Sequence, residues 1–403
     1  MTDDLERLRF TSAADVYKAG TPAARIERRA DGSTSFRYLP DYVRAAHSDP
    51  LVEPIATSLP VDDREIVSPG GAVPPFFAGL LPEGHRLTFL QRAVKTSADD
   101  ELSLLLAVGA DVPGDVQIVV EGAMPVDPSP LVGADAPDTF DFSALVGGID
   151  RHAIPGVQSK ASASMISTPL ATRQGRYILK LSPVEYPLLV QNEAAHLAAA
   201  RAMKLPVANA ALVSDRVDVR GLLVERFDRI PHSDGSWQRL PIEDAGQVLG
   251  LPPASKYAVP AERVVTALAS IASAPLVATR NLYLQFLFAW LTGNGDLHAK
   301  NVSMLRTAEG TWGVAPMYDV PSTFIYGDSS MALPIDGRTT NLRVRHWRAF
   351  AEAIGLPERA ARSADALALR AAEAVDLAQV GFTGSPLNGT VRELRMRRTE
   401  LAR

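Results

Sequence analysis

The segment Gly295-Asp296-Leu297-His298-Ala299-Lys300-Asn301 sets a carboxylate and a side-chain amide five positions apart, directly after a strongly apolar run. That spacing suits phosphoryl transfer. A hydroxyl acceptor is a poor nucleophile until it is aligned, so a carboxylate must sit within hydrogen-bond reach of it. An Asn five residues on can hold a metal ion beside the phosphates. His298 and Lys300 add positive charge where the transferred group would emerge. A second acidic position, Asp319, follows the strand-like run Trp312-Gly313-Val314-Ala315. Asn301 and Asp319 together form a hard oxygen pair of the kind Mg²⁺ accepts, because that ion draws its remaining ligands from substrate phosphates and water. The plainer reading makes Asp296 a helix cap and Asp319 a turn residue.

Such chemistry also needs a cradle and a cation for the phosphates. Gly156-Val157-Gln158-Ser159-Lys160 precedes a strand, and its backbone N–H groups could fold over phosphates or form an ordinary turn. Lys180 stands mid-strand in Tyr177-Ile178-Leu179-Lys180-Leu181, and a helix carrying Glu193 follows. A lysine there either pairs with that glutamate or points to water from an edge strand. Glu225-Arg226-Phe227 ends a further strand, where extended backbone can bond an adenine edge while Phe227 covers its face or packs in the core.

The elements that must position these groups are legible by pattern. Strands are expected at 34–39, 116–120, 177–181, 211–213 and 221–225. A core helix is expected at 101–108, and Pro74 to Gly84 reads as a turn around a short buried helix. Helical periodicity begins near Asn192-Glu193, and 281–291 and 360–379 read as helices. Met124-Pro125-Val126-Asp127-Pro128-Ser129-Pro130 suits a boundary, with three prolines in six residues.

Composition narrows the class. With 403 residues, 46% hydrophobic and 22% charged, the chain is long enough for a bilobal domain or two to three domains. It contains no cysteine, which excludes disulfides, thiolate catalysis and cysteine-bound zinc. A net charge of −5 argues against a dedicated nucleic-acid binder. Arg392, Arg395, Arg397, Arg398 and Arg403 make the C-terminal end locally basic, either a solvated helix face or a partner- or DNA-contacting one. The acidic first residues lack a secretory pattern, and the apolar run Leu282–Leu291 is too short to span a bilayer, so a cytoplasmic location is expected.

Taken in order, these segments resemble the HipA family of toxin kinases. Phe76-Phe77-Ala78-Gly79-Leu80-Leu81-Pro82-Glu83-Gly84 is similar to its N-terminal signature, and the Gly156 segment to its phosphate loop. Val224-Glu225-Arg226-Phe227-Asp228-Arg229 resembles its hinge, the Asp296 segment its catalytic loop, and Tyr318-Asp319 its metal site. Leu240-Pro241-Ile242-Glu243-Asp244-Ala245-Gly246-Gln247 with Gly250-Leu251-Pro252 follows its pattern too. The resemblance implies an α+β, bilobal protein-kinase-like fold with an extra N-terminal α/β subdomain and a helical C-terminal lobe. The implied divisions are an N-terminal subdomain at 1–130, an N-lobe at 138–228 and a C-lobe at 229–403. It implies a serine/threonine protein kinase using ATP and Mg²⁺. Asp296 would be the catalytic aspartate, flanked by His298 and Lys300. Asn301 and Asp319 would be metal ligands. Gly156, Val157, Gln158, Lys180, Glu225, Phe227 and Gln247 would serve ATP. Known members phosphorylate an aminoacyl-tRNA synthetase, most famously the glutamyl enzyme. They pair with a small helix-turn-helix antitoxin of HipB type, through which DNA is met indirectly; no membrane is involved.

One departure stands out. The best-known members carry an autophosphorylated serine just before the phosphate-loop glycine, and here that residue is Pro155. A self-inactivating switch is then absent or moved to Ser159, Ser162 or Ser164. Two other readings remain open. A small-molecule kinase of the aminoglycoside or choline type shares the Asp296–Asn301 spacing but has no reason to carry the Phe76–Gly84 segment. A catalytically weak co-repressor working with an antitoxin would fit Pro155 and the basic end, but not the retention of Lys180, Asp296, Asn301 and Asp319.

Overall fold

The strand-like runs of the N-terminal part pair into one sheet in the computed structural model, which describes residues 2–127, 129, 141, 142, 161, 165–172 and 175–402. Strands β1 (Ala13–Lys18), β2 (Thr21–Arg28), β3 (Thr34–Tyr38), β4 (Ile66–Ser68) and β5 (Val116–Val120) lie in the order β4-β3-β2-β1-β5. All four pairings are antiparallel. Ala19 and Gly20 both take positive φ, which lets a two-residue turn join β1 to β2. Helix α1 (Glu101–Val108) closes this core, with Leu102, Leu104 and Leu105 fully buried. Asp100 caps it by accepting from the Ser103 N–H. Gly109 ends it where a Cβ would stand 2.3 Å from the Ile118 carbonyl oxygen, so helix and sheet approach through a missing side chain.

The chain divides into two compact units: Met1–Ser129 with Asp228–Ser255, and Pro130–Phe227 with Lys256–Arg403. The return of 228–255 to the first unit differs from the expected division, which gave 229–403 to the C-lobe. Polar ties explain it. Arg229 has a side chain 2% exposed and donates to Asp111, Val112 O, Gly114 O and Asp228. Asp228 accepts from the Gly114 N–H at 2.9 Å, and Glu243 accepts from both the N–H and the hydroxyl of Thr57. A buried guanidinium without such partners would cost several kcal/mol, on the order of 3 to 5.

In the second unit, β6 (Ile166–Ala171), β7 (Arg176–Leu181), β8 (Ala210–Ser214) and β9 (Arg220–Glu225) form an antiparallel sheet in the order β6-β7-β9-β8. Helix α2 (Leu189–Ala200) packs on it. The rest is mainly helical: α3 (Ala261–Ile271), α4 (Pro275–Thr292), α5 (Val344–Ala353), α6 (Glu358–Glu373) and α7 (Gly384–Leu401). Helix α4 is apolar on all sides and is the buried centre of this part, Leu282 through Leu291 being 4% exposed or less. The small strands β10 (Ser303–Arg306) and β11 (Trp312–Val314) pair just beyond it. The helix expected over 360–379 is broken. It stops at Glu373, and Asp376 accepts from the Ala378 and Gln379 N–H groups to start a separate turn.

Candidate active site

The loop after α4 is built by exclusion of side chains. Gly293 ends the helix with φ of 75°, and its carbonyl accepts from the Thr323 and Phe324 N–H groups, each at 2.9 Å. A Cβ on Gly295 would lie 2.5 Å from Ser330 O and 2.6 Å from an Asp328 oxygen, so only glycine fits. Asp296 follows, 1% exposed. Its N–H donates to Asn294 Oδ1 at 2.8 Å, and its carbonyl accepts from Asn301 Nδ2 at 3.0 Å. The Asp296 carboxylate is not the cap of the following turn. That task falls to His298, whose Nδ1 accepts from the Lys300 N–H at 3.2 Å. Lys300 is half-buried, and its carbonyl accepts from the Tyr318 hydroxyl at 2.9 Å.

Lys180 lies on β7, an interior strand, and is 8% exposed. Its ammonium donates to Glu193 Oε1 and Oε2 at 2.8 and 2.9 Å and to Asp319 Oδ1 at 2.9 Å. Burial pulls its pKa down, but the facing carboxylates of Asp319 and Glu193 outweigh it, and the ammonium ends above the ordinary lysine value. Asp319 Oδ2 meets Asn301 Nδ2 at 2.9 Å. One hydrogen-bonded chain therefore runs Glu193–Lys180–Asp319–Asn301 and ends on the Asp296 backbone.

Asp319 is held in the left-handed region with φ of 55°, a cost of about 1–2 kcal/mol for a residue with a Cβ. The surrounding chain fixes it there. Met317 exchanges backbone bonds with Pro206 and Ala208, and Tyr318 bonds Ser303 Oγ at 2.6 Å. On the far side, Asn192 binds both the N–H and the carbonyl of Ser322 at 2.9 Å. Helix α2 thus anchors Lys180 through Glu193 and the Asp319 segment through the neighbouring Asn192. The sequence pattern places Asn192 at a helix start and Tyr318 beside Asp319 but gives neither its bonding role, because the bonds run to residues distant in sequence.

The remaining expected residues divide. Phe227 is half-buried, with its ring 5.9 Å from that of Tyr318, and so stands near the Asp319 segment. Glu225 presents an exposed carboxylate to Asn209 Nδ2, while its N–H bonds Asn209 O. Gln247, expected near the nucleotide, has protein partners of its own. Within the first unit its amide accepts from Asp244 N–H, donates to Phe76 O at 3.0 Å, and fills the space left by the missing side chain of Gly79. Gly156, Val157 and Gln158 lie outside the described residues, as do Pro155, Ser159, Ser162 and Ser164.

The donor set fits a magnesium-type ion that also takes substrate oxygens. Asp319 and Asn301 meet at 2.9 Å through the Asn301 amide nitrogen, and each side chain carries an oxygen that such an ion could take. Among the described residues no group of three or more His, Cys, Asp or Glu gathers to hold a metal by itself.

A kinase-like α+β fold with a lysine–glutamate pair, a loop aspartate and an Asn/Asp pair defines the class. Comparisons agree with it. The HipA-like C-terminal domain matches residues 152–375, and the HipA N-terminal domain matches 14–119. The chain belongs to the HipA family. It is 32% identical to the putative kinase Y4mE of Sinorhizobium fredii, over 70% of this chain and 73% of that one. It is 27% identical to the serine/threonine-protein kinase toxin HipA of Shewanella oneidensis, over 75% and 76% of the two chains. The solved structure of HipA from Shewanella oneidensis, in complex with HipB and its operator DNA, matches with a TM-score of 0.71 at 22% identity, covering 96% of this chain and 95% of that one.

Proposed function

We propose that this chain is an ATP- and Mg²⁺-dependent serine/threonine protein kinase acting as the toxin of a toxin–antitoxin pair. The observation that carries the reading is the unbroken chain Glu193–Lys180–Asp319–Asn301 ending on the backbone of Asp296. Asp296 aligns the acceptor hydroxyl and takes up its proton as the bond from that oxygen to the γ-phosphorus of ATP forms and the bond to the bridging oxygen breaks, ADP leaving with the electron pair. Lys180, kept charged by its two carboxylates, holds the phosphates. Asn301 and Asp319 would hold Mg²⁺, which when bound neutralises phosphate charge. Phe227 and the Glu225 backbone flank the adenine. The substrate we propose is a protein, with an aminoacyl-tRNA synthetase such as the glutamyl enzyme first in line. The solved relative's assembly with HipB and operator DNA supports a small helix-turn-helix antitoxin as partner. Retention of every charged member of the site weighs against a catalytically weak co-repressor.

The test is quantitative phosphoproteomics on cells expressing the chain or its Asp296→Asn variant. We expect one dominant Asp296-dependent serine or threonine phosphosite, the variant losing about 10²–10⁴-fold in transfer while keeping its affinity for ATP. Identical phosphoproteomes would overturn the reading.

A further inference from the structure

The Asp296 carboxylate has one close neighbour that the sequence pattern does not suggest. The Tyr257 hydroxyl donates to Asp296 Oδ1 at 2.7 Å. Two further ties bind the same stretch to the loop. The Ala299 N–H donates to Lys256 O at 3.2 Å, and the Tyr257 ring meets the His298 ring edge-on at 5.0 Å between centroids. The Lys256 ammonium stands 5.1 Å from the centre of the Tyr257 ring. A main-chain bond, a ring contact and a hydroxyl bond converge on Ala299, His298 and Asp296 of one loop, which is a brace and not a passing contact.

A carboxylate turns easily about its last bond, since that torsion is broad. Holding one oxygen fixes its plane and so the direction of the other. Alignment of the acceptor depends on that direction, because reacting atoms must be held within fractions of an ångström. We infer that Tyr257 is a positioning residue for transfer: its hydroxyl sets the orientation of Asp296, and its ring steadies His298. The inference rests on the proposed role of Asp296 as the residue that meets the acceptor hydroxyl.

Tyr257→Phe removes the hydroxyl and keeps the ring, so it separates the two contributions. Wild type, Tyr257→Phe and Asp296→Asn are expressed at matched levels, and the initial rate of each Asp296-dependent phosphosite is followed by mass spectrometry. Mg·ATP affinity by calorimetry and melting temperature are measured on the purified full chains. Loss of a hydrogen bond to a charged group predicts a rate lower by about tenfold or more. Affinity should hold within about twofold, because the interaction lost is made in transfer and not in nucleotide binding. A rate equal to wild type overturns the inference, and a faster one makes the hydroxyl a block instead of a brace. A rate that falls only together with affinity or melting temperature reduces Tyr257 to a structural role. Absence of any Asp296-dependent phosphosite in wild type overturns the functional proposal itself.

Discussion

Asp319 serves two neighbours at once, one oxygen toward the Lys180 ammonium and the other toward the Asn301 amide, from a backbone conformation that side chains rarely adopt. If the Asn301 side is where Mg²⁺ is held, Asp319→Ala will weaken binding of Mg·ATP more than binding of metal-free ATP. Paired calorimetric titrations with and without a chelator measure this, and equal losses would remove Asp319 from the ligand set. Residues of this kind were legible in the sequence because their chemistry imposes spacing: Asp296 to Asn301, and a strand lysine before a helix glutamate. Tyr257 was not, because it reaches Asp296 across 39 residues and no periodicity links them. Gln247 was picked out by motif, but its bonds to Asp244 and Phe76 were not legible, since the second spans 171 residues.

Elements were legible where burial is one-dimensional. The all-round apolar character of α4 and the apolar run of β7 are plain in the sequence, whereas the break after Glu373 depends on one aspartate side chain competing for backbone N–H groups. The basic C-terminal end divides on inspection. Arg392 and Arg395 are exposed, and Arg403 lies outside the described residues. Arg397 donates to Trp290 O at 2.9 Å and to Ser329 O at 3.1 Å, and Arg398 donates to Leu291 O at 3.4 Å. These two cations sit at the C-terminal end of α4, where orphan carbonyls and the helix dipole favour positive charge. Arg397→Met is expected to lower stability by about 1–3 kcal/mol, read as a fall in the urea midpoint. Because α4 leads into the Asp296 loop, transfer should fall with it.

At the scale of the whole molecule, acid sensitivity has an identifiable source. His196 is fully buried in α2, its Nδ1–H donates to Asn192 O at 2.8 Å, and burial pulls its pKa down to about 4. An unfolded chain protonates this ring below about pH 6.5, while the folded one refuses the proton until pH nears the lower value, so its contribution is complete above about pH 6.5 and declines as pH falls. Between about pH 7.5 and about pH 5 the folded state should lose about 2 kcal/mol from this residue. Urea unfolding at both pH values checks it, and His196→Leu should flatten the slope. The division into units was the least legible feature, because the ties of 228–255 join Arg229, Glu243 and Gln247 to residues more than a hundred positions away. It has a consequence for dissection. The backbone passes from one unit to the other at 129, at 227 and again at 255. A protease cutting the proline-rich stretch near 124–130 leaves two separate polypeptides, and the N-terminal fragment is then held only by its non-covalent ties to 228–255, among them Asp111 to Arg229 and Thr57 to Glu243. A shortened gene starting at 130 fares worse: it carries Arg229 and Glu243 without Asp111 and Thr57, so the second unit has no contiguous reading frame of its own.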